Sequence, residues 1–324
     1  MSNVAVPRIR EAAEAALLEA TWAQWSALTS TAASAGQRRV WTIVDPEALV
    51  LASVAVGHRE RRLEDLAASW AGDAAYLMSL QRMRSLASRF PEAVGRGLRG
   101  FARAAVAGGD RRWSRLASGQ AEGEYVPRVK PLGSLPLMEG PALTLRLRAG
   151  FGVNAKADLL SLLLGLAGAP ADLKLIAAAT AYTERAVRTA AAEMALAGFI
   201  REIGGRPPSF CAEANAWAPV LQGRLPGSRG QAPAVPPWRF WGAGFAFLVG
   251  VLEWAQRVQE EDWSPYVASS RARDLVERHA RPLRQARLDV RPSTSARGAE
   301  YLLELEDLVR QVRAWTSEGL PPRG

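Results

Sequence analysis

NAKADLLSLLLGLAGAPADLKLIAAATAYTERAVRTAAAEMALAGFIREIGGRPPSFCA, residues 154–212, is punctuated as three short helices followed by a hairpin. Asn154 caps the first helix, and Asp158 puts a negative charge in its opening turns, where the helix dipole favours one. Leu159, Leu160, Leu163 and Leu164 fall at helical spacing, and Gly168 and Pro170 end the run. Asp172 caps a second helix carrying Leu173, Leu175, Ile176 and Ala179. A turn at Ala181–Tyr182 leads to a third helix, capped by Thr183, with Val187, Ala190, Ala191 and Met194 as its apolar stripe. Gly198 stops that helix. Phe199, Ile200 and Ile203 suit a strand, Gly204–Gly205 permits a tight turn with Arg206 at its tip, and Ser209–Cys211 returns as the second strand.

This order of elements is the outline of a winged helix-turn-helix. The segment Thr180–Arg188 resembles the turn and recognition helix of winged-helix transcription regulators of the MarR and GntR kind. Met194–Ile200 is similar to their exit into the wing. The resemblance covers about sixty of the 324 residues. It implies a recognition helix over about 183–197 lying in the major groove of double-stranded DNA, with a wing over about 199–212. Carried over, Thr183, Arg185, Arg188 and Thr189 meet base edges. Arg206 reaches a phosphate or the minor groove, and Lys156 and Tyr182 hold the DNA backbone. The residue types suit these roles. Arginine offers a planar fork of donors for guanine edges or phosphate oxygens, and a hydroxyl at a helix start can meet a phosphate.

Ala181 stands where such turns often carry glycine, which predicts a less sharp turn. Leu175, Ala178 and Ala179 stand where the second helix usually shows charge to water, which predicts that another part of the protein covers it. Residues 154–212 hold six basic and five acidic side chains, a net of +1. That weak charge keeps a second reading open, a winged-helix protein–protein interaction module (antitoxin-like or complex-assembly) without sequence-specific DNA readout.

The chain as a whole carries +9, which favours an acidic partner such as nucleic acid. Nine arginines between Arg82 and Leu116, against Glu92 and Asp110, account for +7 of it. Arg96, Arg99 and Arg103 recur at helical spacing and would form one stripe able to track phosphates. A solvated arginine face is the competing reading. This block follows a fainter three-helix outline over 45–90, a candidate second, diverged winged helix, with a plain helical bundle as its competitor. Asp45 caps and Pro46 opens its first helix; Leu63, Leu66 and Trp70 mark the second; Tyr76, Leu77, Leu80, Met83 and Leu86 mark the third, with Gln81, Arg82 and Arg84 exposed. Val40–Ile43 reads as a strand beside it.

The expected architecture is mainly α. It comprises a helical N-terminal domain (1–118), a linker (119–142), the winged unit (143–221), a second linker (222–237) and a helical C-terminal domain (238–324). The first helix is expected over about Pro7–Ala33, with Leu18, Trp22, Trp25 and Leu28 on one face. Leu143–Arg148 alternates and reads as a strand. Phe240–Val258, Pro265–His279 and Tyr301–Trp315 read as helices. Leu302, Leu305, Val309 and Val312 form a seam suited to a bundle core or to a homodimer contact. Trp238, Trp241, Phe245 and Trp254 are either ordinary core or the lining of an effector site for a small molecule or protein in the C-terminal region.

Signals of catalysis are scarce, and no enzyme, cofactor or metal is expected. The two histidines, His58 and His279, fall in separate regions, His279 on a helix expected to be exposed. The single cysteine, Cys211, excludes an internal disulfide and a cysteine-cluster zinc site. There is no phosphate-binding loop, dinucleotide fingerprint or nucleophile elbow. The uncharged runs 159–171 and 240–252 fall short of the roughly 20 residues a membrane span requires. Glycines 242, 244 and 250 in the second run suggest close helix packing instead. Met1–Pro7 shows no secretory signal, so a cytoplasmic, nucleoid-associated location is expected.

Overall fold

The computed structural model describes residues 5–29, 40–119, 126–221, 235–291 and 295–318. The fold is mainly α. In chain order the helices are α1 (Ala5–Leu28), α2 (Pro46–Val56), α3 (Arg61–Ala74), α4 (Leu80–Ala87), α5 (Val94–Ala107), α6 (Ser114–Ala117), α7 (Leu143–Phe151), α8 (Ala155–Gly165), α9 (Leu173–Thr180), α10 (Glu184–Leu196), α11 (Ala218–Leu221), α12 (Trp241–Glu260), α13 (Pro265–Gln285) and α14 (Gly298–Glu318). Three short strands, β1 (Ala171–Asp172), β2 (Arg201–Ile203) and β3 (Ser209–Cys211), form an antiparallel sheet in the order β1-β3-β2.

Apolar side chains gather into two cores. One is built from α1–α5 and α12–α14, around Leu17, Leu49, Trp70, Phe101, Phe245 and Val309. The other joins α7–α10 to the sheet, around Leu147, Leu160, Ile176, Val187, Met194 and Phe210. The first core does not follow the linear division expected from the sequence, because the N-terminal and C-terminal helices share it. The reason lies in α1, which buries Ile9, Ala13, Leu17, Ala20 and Trp25. So broad an apolar surface needs cover on more than one side, and α12 and α14 supply it. Trp25 meets Trp70 of α3 with ring centroids 5.9 Å apart, and Arg8 pairs with Glu306 of α14 at 2.9 Å.

Leu302, Leu305, Val309 and Val312 are all buried in this same core, so the seam serves packing within the chain. Trp241 stacks on Phe245 and meets Trp315 edge to face, and the Trp254 indole donates to the Ala268 carbonyl at 3.0 Å. Trp238 packs against the other core. The four aromatics are thus divided between two cores, where they pack as ordinary core. The glycines of α12 do permit close packing. A Cβ on Gly244 would lie 2.7 Å from the Trp315 ring, and one on Gly250 would lie 2.7 Å from Leu275.

Leu143–Arg148 is helical, not a strand. Val40–Ile43 forms no strand; its amides reach out singly, Val40 to the Ala23 carbonyl and Ile43 to the Pro237 carbonyl. Among the described residues no strand lies between 40 and 119. The expected end of the first helix at Ala33 and most of the 222–237 linker lie outside the described residues. No described helix is long and apolar enough to cross a membrane.

His279 is buried on α13 rather than exposed, its ring edge-on to Phe247 at 6.0 Å. Burial, with a smaller push from Arg278, lowers its pKa to about 4. The folded state therefore resists a proton that the unfolded chain accepts near 6.5. Stability from this site is complete above pH 6.5 and falls as the pH drops towards 4. Between pH 7 and pH 5 the expected loss is about 2 kcal/mol. Urea melts at the two pH values should show that loss in the parent and much less of it in His279→Gln.

Candidate functional site

The elements around α10 are set by local capping. The Asn154 side chain accepts from the amides of Lys156 (2.9 Å) and Ala157 (3.3 Å) at the start of α8. Asp172 accepts from Leu175 (2.7 Å) to open α9, and Thr183 from Ala186 (3.2 Å) to open α10. Between α9 and α10, Ala181 has φ 55°, so the alanine adopts the left-handed conformation that glycine would take more readily. The turn is as sharp as a glycine turn, contrary to the expectation. Gly198, at φ 72°, ends α10, and β2 and β3 form the hairpin beyond it. Cys211 is buried on β3.

α10 presents two faces. Val187, Ala190, Ala191 and Met194 are buried against α8 and α9. Thr183, Arg185, Arg188 and Thr189 are exposed, and Arg185 and Arg188 lie three residues apart on one side of the helix. Among the described residues neither arginine has a carboxylate partner. The Thr183 hydroxyl oxygen is engaged by its cap, which leaves its proton available to donate. A shallow groove of about 460 Å³ runs between the start of α8 and α10, lined by Lys156, Thr183, Arg185, Thr189 and Glu193 among others. Across it the Lys156 ammonium pairs with Glu193 at 2.7 Å. Arg206 is exposed at the hairpin tip.

Other expected contacts are placed differently. Tyr182 points inward: it is 8% exposed, and its hydroxyl lies 3.1 Å from the Ser79 hydroxyl of the helical body. Burial, reinforced by Asp158, pushes its pKa up. It cannot hold a DNA backbone from there. The stripe on α5 is uneven. Arg96 is exposed, whereas Arg99 and Arg103 are half-buried, and Arg103 donates to the carbonyls of Ala117 (3.4 Å) and Gly119 (3.0 Å). Arg103 closes the corner after α6 instead of facing solvent.

The outer side of α9 is covered only in part: Ala179 is buried, Ala178 half-buried, and Leu175 half-buried against the core of α7–α10. Ala178 and Ala179 lie around a small cleft with Leu86, Arg89, Phe240 and Gly242. Leu196, the last residue of α10, is 91% exposed. The rings of Phe151, Phe199 and Trp217 form a cluster with centroids 5.6–6.2 Å apart.

Behind α10, between the two cores, lies a group of charges that sequence reasoning missed. Arg82 was expected at the surface and is fully buried. Its guanidinium pairs with Asp45 (2.9 Å) and with Glu47, and its Nε donates to the Thr180 carbonyl at 2.6 Å. Arg148 grips Asp158 with Nε (2.7 Å) and Nη2 (2.9 Å), and reaches Glu47 (2.6 Å) and the Leu77 carbonyl (2.9 Å) through Nη1. The Ser79 amide donates to Glu47 at 2.8 Å.

Burial raises the Glu47 carboxyl, and Arg148 and Arg82 outweigh it, leaving the group below its ordinary range. At Asp45 burial outweighs Arg82, and the group is raised. Burial opposes the charge on Arg82, yet Asp45, Glu47 and Asp158 together raise its pKa, so it stays a cation. The sequence separations hide this cluster: Arg82 meets Thr180 across 98 residues, and Arg148 meets Glu47 across 101.

No protein-family model, curated protein or solved structure matches this chain.

Proposed function

We propose that the chain is a sequence-specific DNA-binding transcriptional regulator in which α8–α10 and the β2–β3 hairpin act as a winged helix-turn-helix. The order of elements, with β1 on one side of β3 and β2 on the other, supports that reading. The observation that carries it is the pair Arg185 and Arg188, exposed together on the first two turns of a helix whose opposite face is buried. Placed in a major groove, these forks meet guanine edges, and Thr183 and Thr189 take adjacent positions. Lys156 and Arg206 contact phosphates, Lys156 by exchanging Glu193 for a phosphate oxygen. Arg96 adds a further phosphate contact. Reading paired half-sites would require a homodimer, which the symmetry of the bound sequence reports.

The deciding experiment is selection of bound sequences from a random duplex pool. Enrichment of one motif, with affinity falling steeply as salt rises, is the expected result. A pool that emerges without any enriched motif would sink the reading.

One feature favours a second reading. Leu196, Phe199 and Phe151 are exposed large apolar side chains, of the kind suited to protein contact. A winged-helix module assembling with another protein would give no enriched motif and no salt-dependent DNA binding.

A further inference from the structure

The buried charges link two bodies with a particular polarity. Asp45, Glu47, Leu77, Ser79 and Arg82 belong to α2 and the region opening α4, within the helical body. Arg148, Asp158, Thr180 and Tyr182 belong to α7–α10. Arg82 pairs with Asp45 and Glu47 on its own side and donates across to Thr180; Arg148 pairs with Asp158 on its own side and donates across to Glu47 and Leu77. The Tyr182–Ser79 hydroxyl contact adds another crossing. Two crossings, at Thr180, the last residue of α9, and at Tyr182 in the turn after it, hold the point from which α10 departs. Apolar surfaces tolerate sliding, whereas guanidinium forks are satisfied over a narrow range of angles. The attraction within a buried charge cluster is largely offset by the cost of desolvating its members, so net stability is weak grounds for its presence.

We propose that Arg82 and Arg148, with Asp45, Glu47 and Asp158, form a latch that fixes the angle at which α10 stands on the helical body. Arg82 is then a positioning residue for the DNA contacts of Arg185 and Arg188, a role that rests on the function proposed above. Lysine at position 82 keeps the charge but has no fork. It cannot hold Asp45, Glu47 and the Thr180 carbonyl together, so α10 is free to swing while the rest of both cores remains.

Two measurements test this on the full chain. Spin labels at Ala192→Cys on α10 and Gln256→Cys on α12, both exposed positions, report the angle without DNA. The labelled parent should give one narrow distance distribution and the labelled Arg82→Lys a broadened or shifted one. Distributions of equal width and centre overturn the latch. The second measurement compares affinity for the selected sequence with affinity for random duplex. Arg82→Lys should lower the first by tenfold or more and the second by less than twofold. A merely structural role lowers both together through the folded fraction, and an unchanged ratio overturns the positioning role. Should Arg82→Lys not fold, Tyr182→Phe with Ser79→Ala removes one crossing from the same turn and is judged by the same distances and ratio. If the parent shows no sequence preference, the DNA reading fails, and the distances alone still decide the latch.

Discussion

Glu47→Ala is expected to remove about 3–5 kcal/mol of folding stability. Glu47 accepts from the Ser79 amide and from the guanidinium groups of Arg82 and Arg148, and it is fully buried. Alanine would leave two permanent cations sharing Asp45 and Asp158 and would strip an amide of its acceptor. Arginine cannot escape by losing its proton, so the cost falls on the fold. Chemical denaturation followed by circular dichroism measures it. The surface pair Arg8–Glu306 is the internal control. Arg8 is more than half exposed, and Arg8→Ala should cost no more than about 1 kcal/mol. If Glu47→Ala unfolds at the same denaturant concentration as Arg8→Ala, the cluster does not hold the two cores together.

The second large effect concerns recognition. Arg185→Ala and Arg188→Ala should each weaken binding to the selected duplex by roughly five- to a hundredfold, and the double variant by more, because in the proposed complex each removes a fork from a base edge. Binding to random duplex should fall far less. Both side chains are exposed and lie away from the buried face of α10, so the variants should melt like the parent. Titrations against selected and random duplexes give both numbers. Equal losses on the two duplexes would reduce these arginines to phosphate contacts, and no loss on either would remove them from the interface.

What could be read from the sequence was local. The caps at Asn154, Asp172 and Thr183 act within three residues, and the stop at Gly198 needs only its own backbone, so the ends of α8–α10 were legible. The Val187–Met194 stripe followed from helical period alone. The segment Leu143–Arg148 misled because its alternation fits a strand. As helix α7 it is buried almost all round: Leu143 and Leu147 enter one core, Leu145 the other, and Arg148 turns into the charges between them. Periodicity fails where a stretch of helix, here 143–148, is buried on nearly every side.

Arg82, Tyr182 and His279 misled for a related reason. Residue type suggests a surface for each, and only a partner distant in sequence makes burial tolerable for a charge or hydroxyl. Ser79 stands 103 residues from Tyr182. Within the proposed interface, Thr183, Arg185, Arg188, Thr189, Lys156, Arg206 and Arg96 were placed on accessible surface by the pattern. The inward turn of Tyr182 and the engagement of Arg103 were not visible in it.

The packing of α1 against α12 and α14 bears on how the chain acquires its shape during synthesis. The α8–α10 unit draws on neighbours close in sequence and can condense as soon as it leaves the ribosome. The larger body must wait for α12 and α14 before the sides of α1 that pack on them find their cover. Partners separated by most of the polypeptide close slowly, and the waiting helices expose apolar surface meanwhile. The first half of this protein is therefore the part that leaves apolar surface uncovered longest while translation continues.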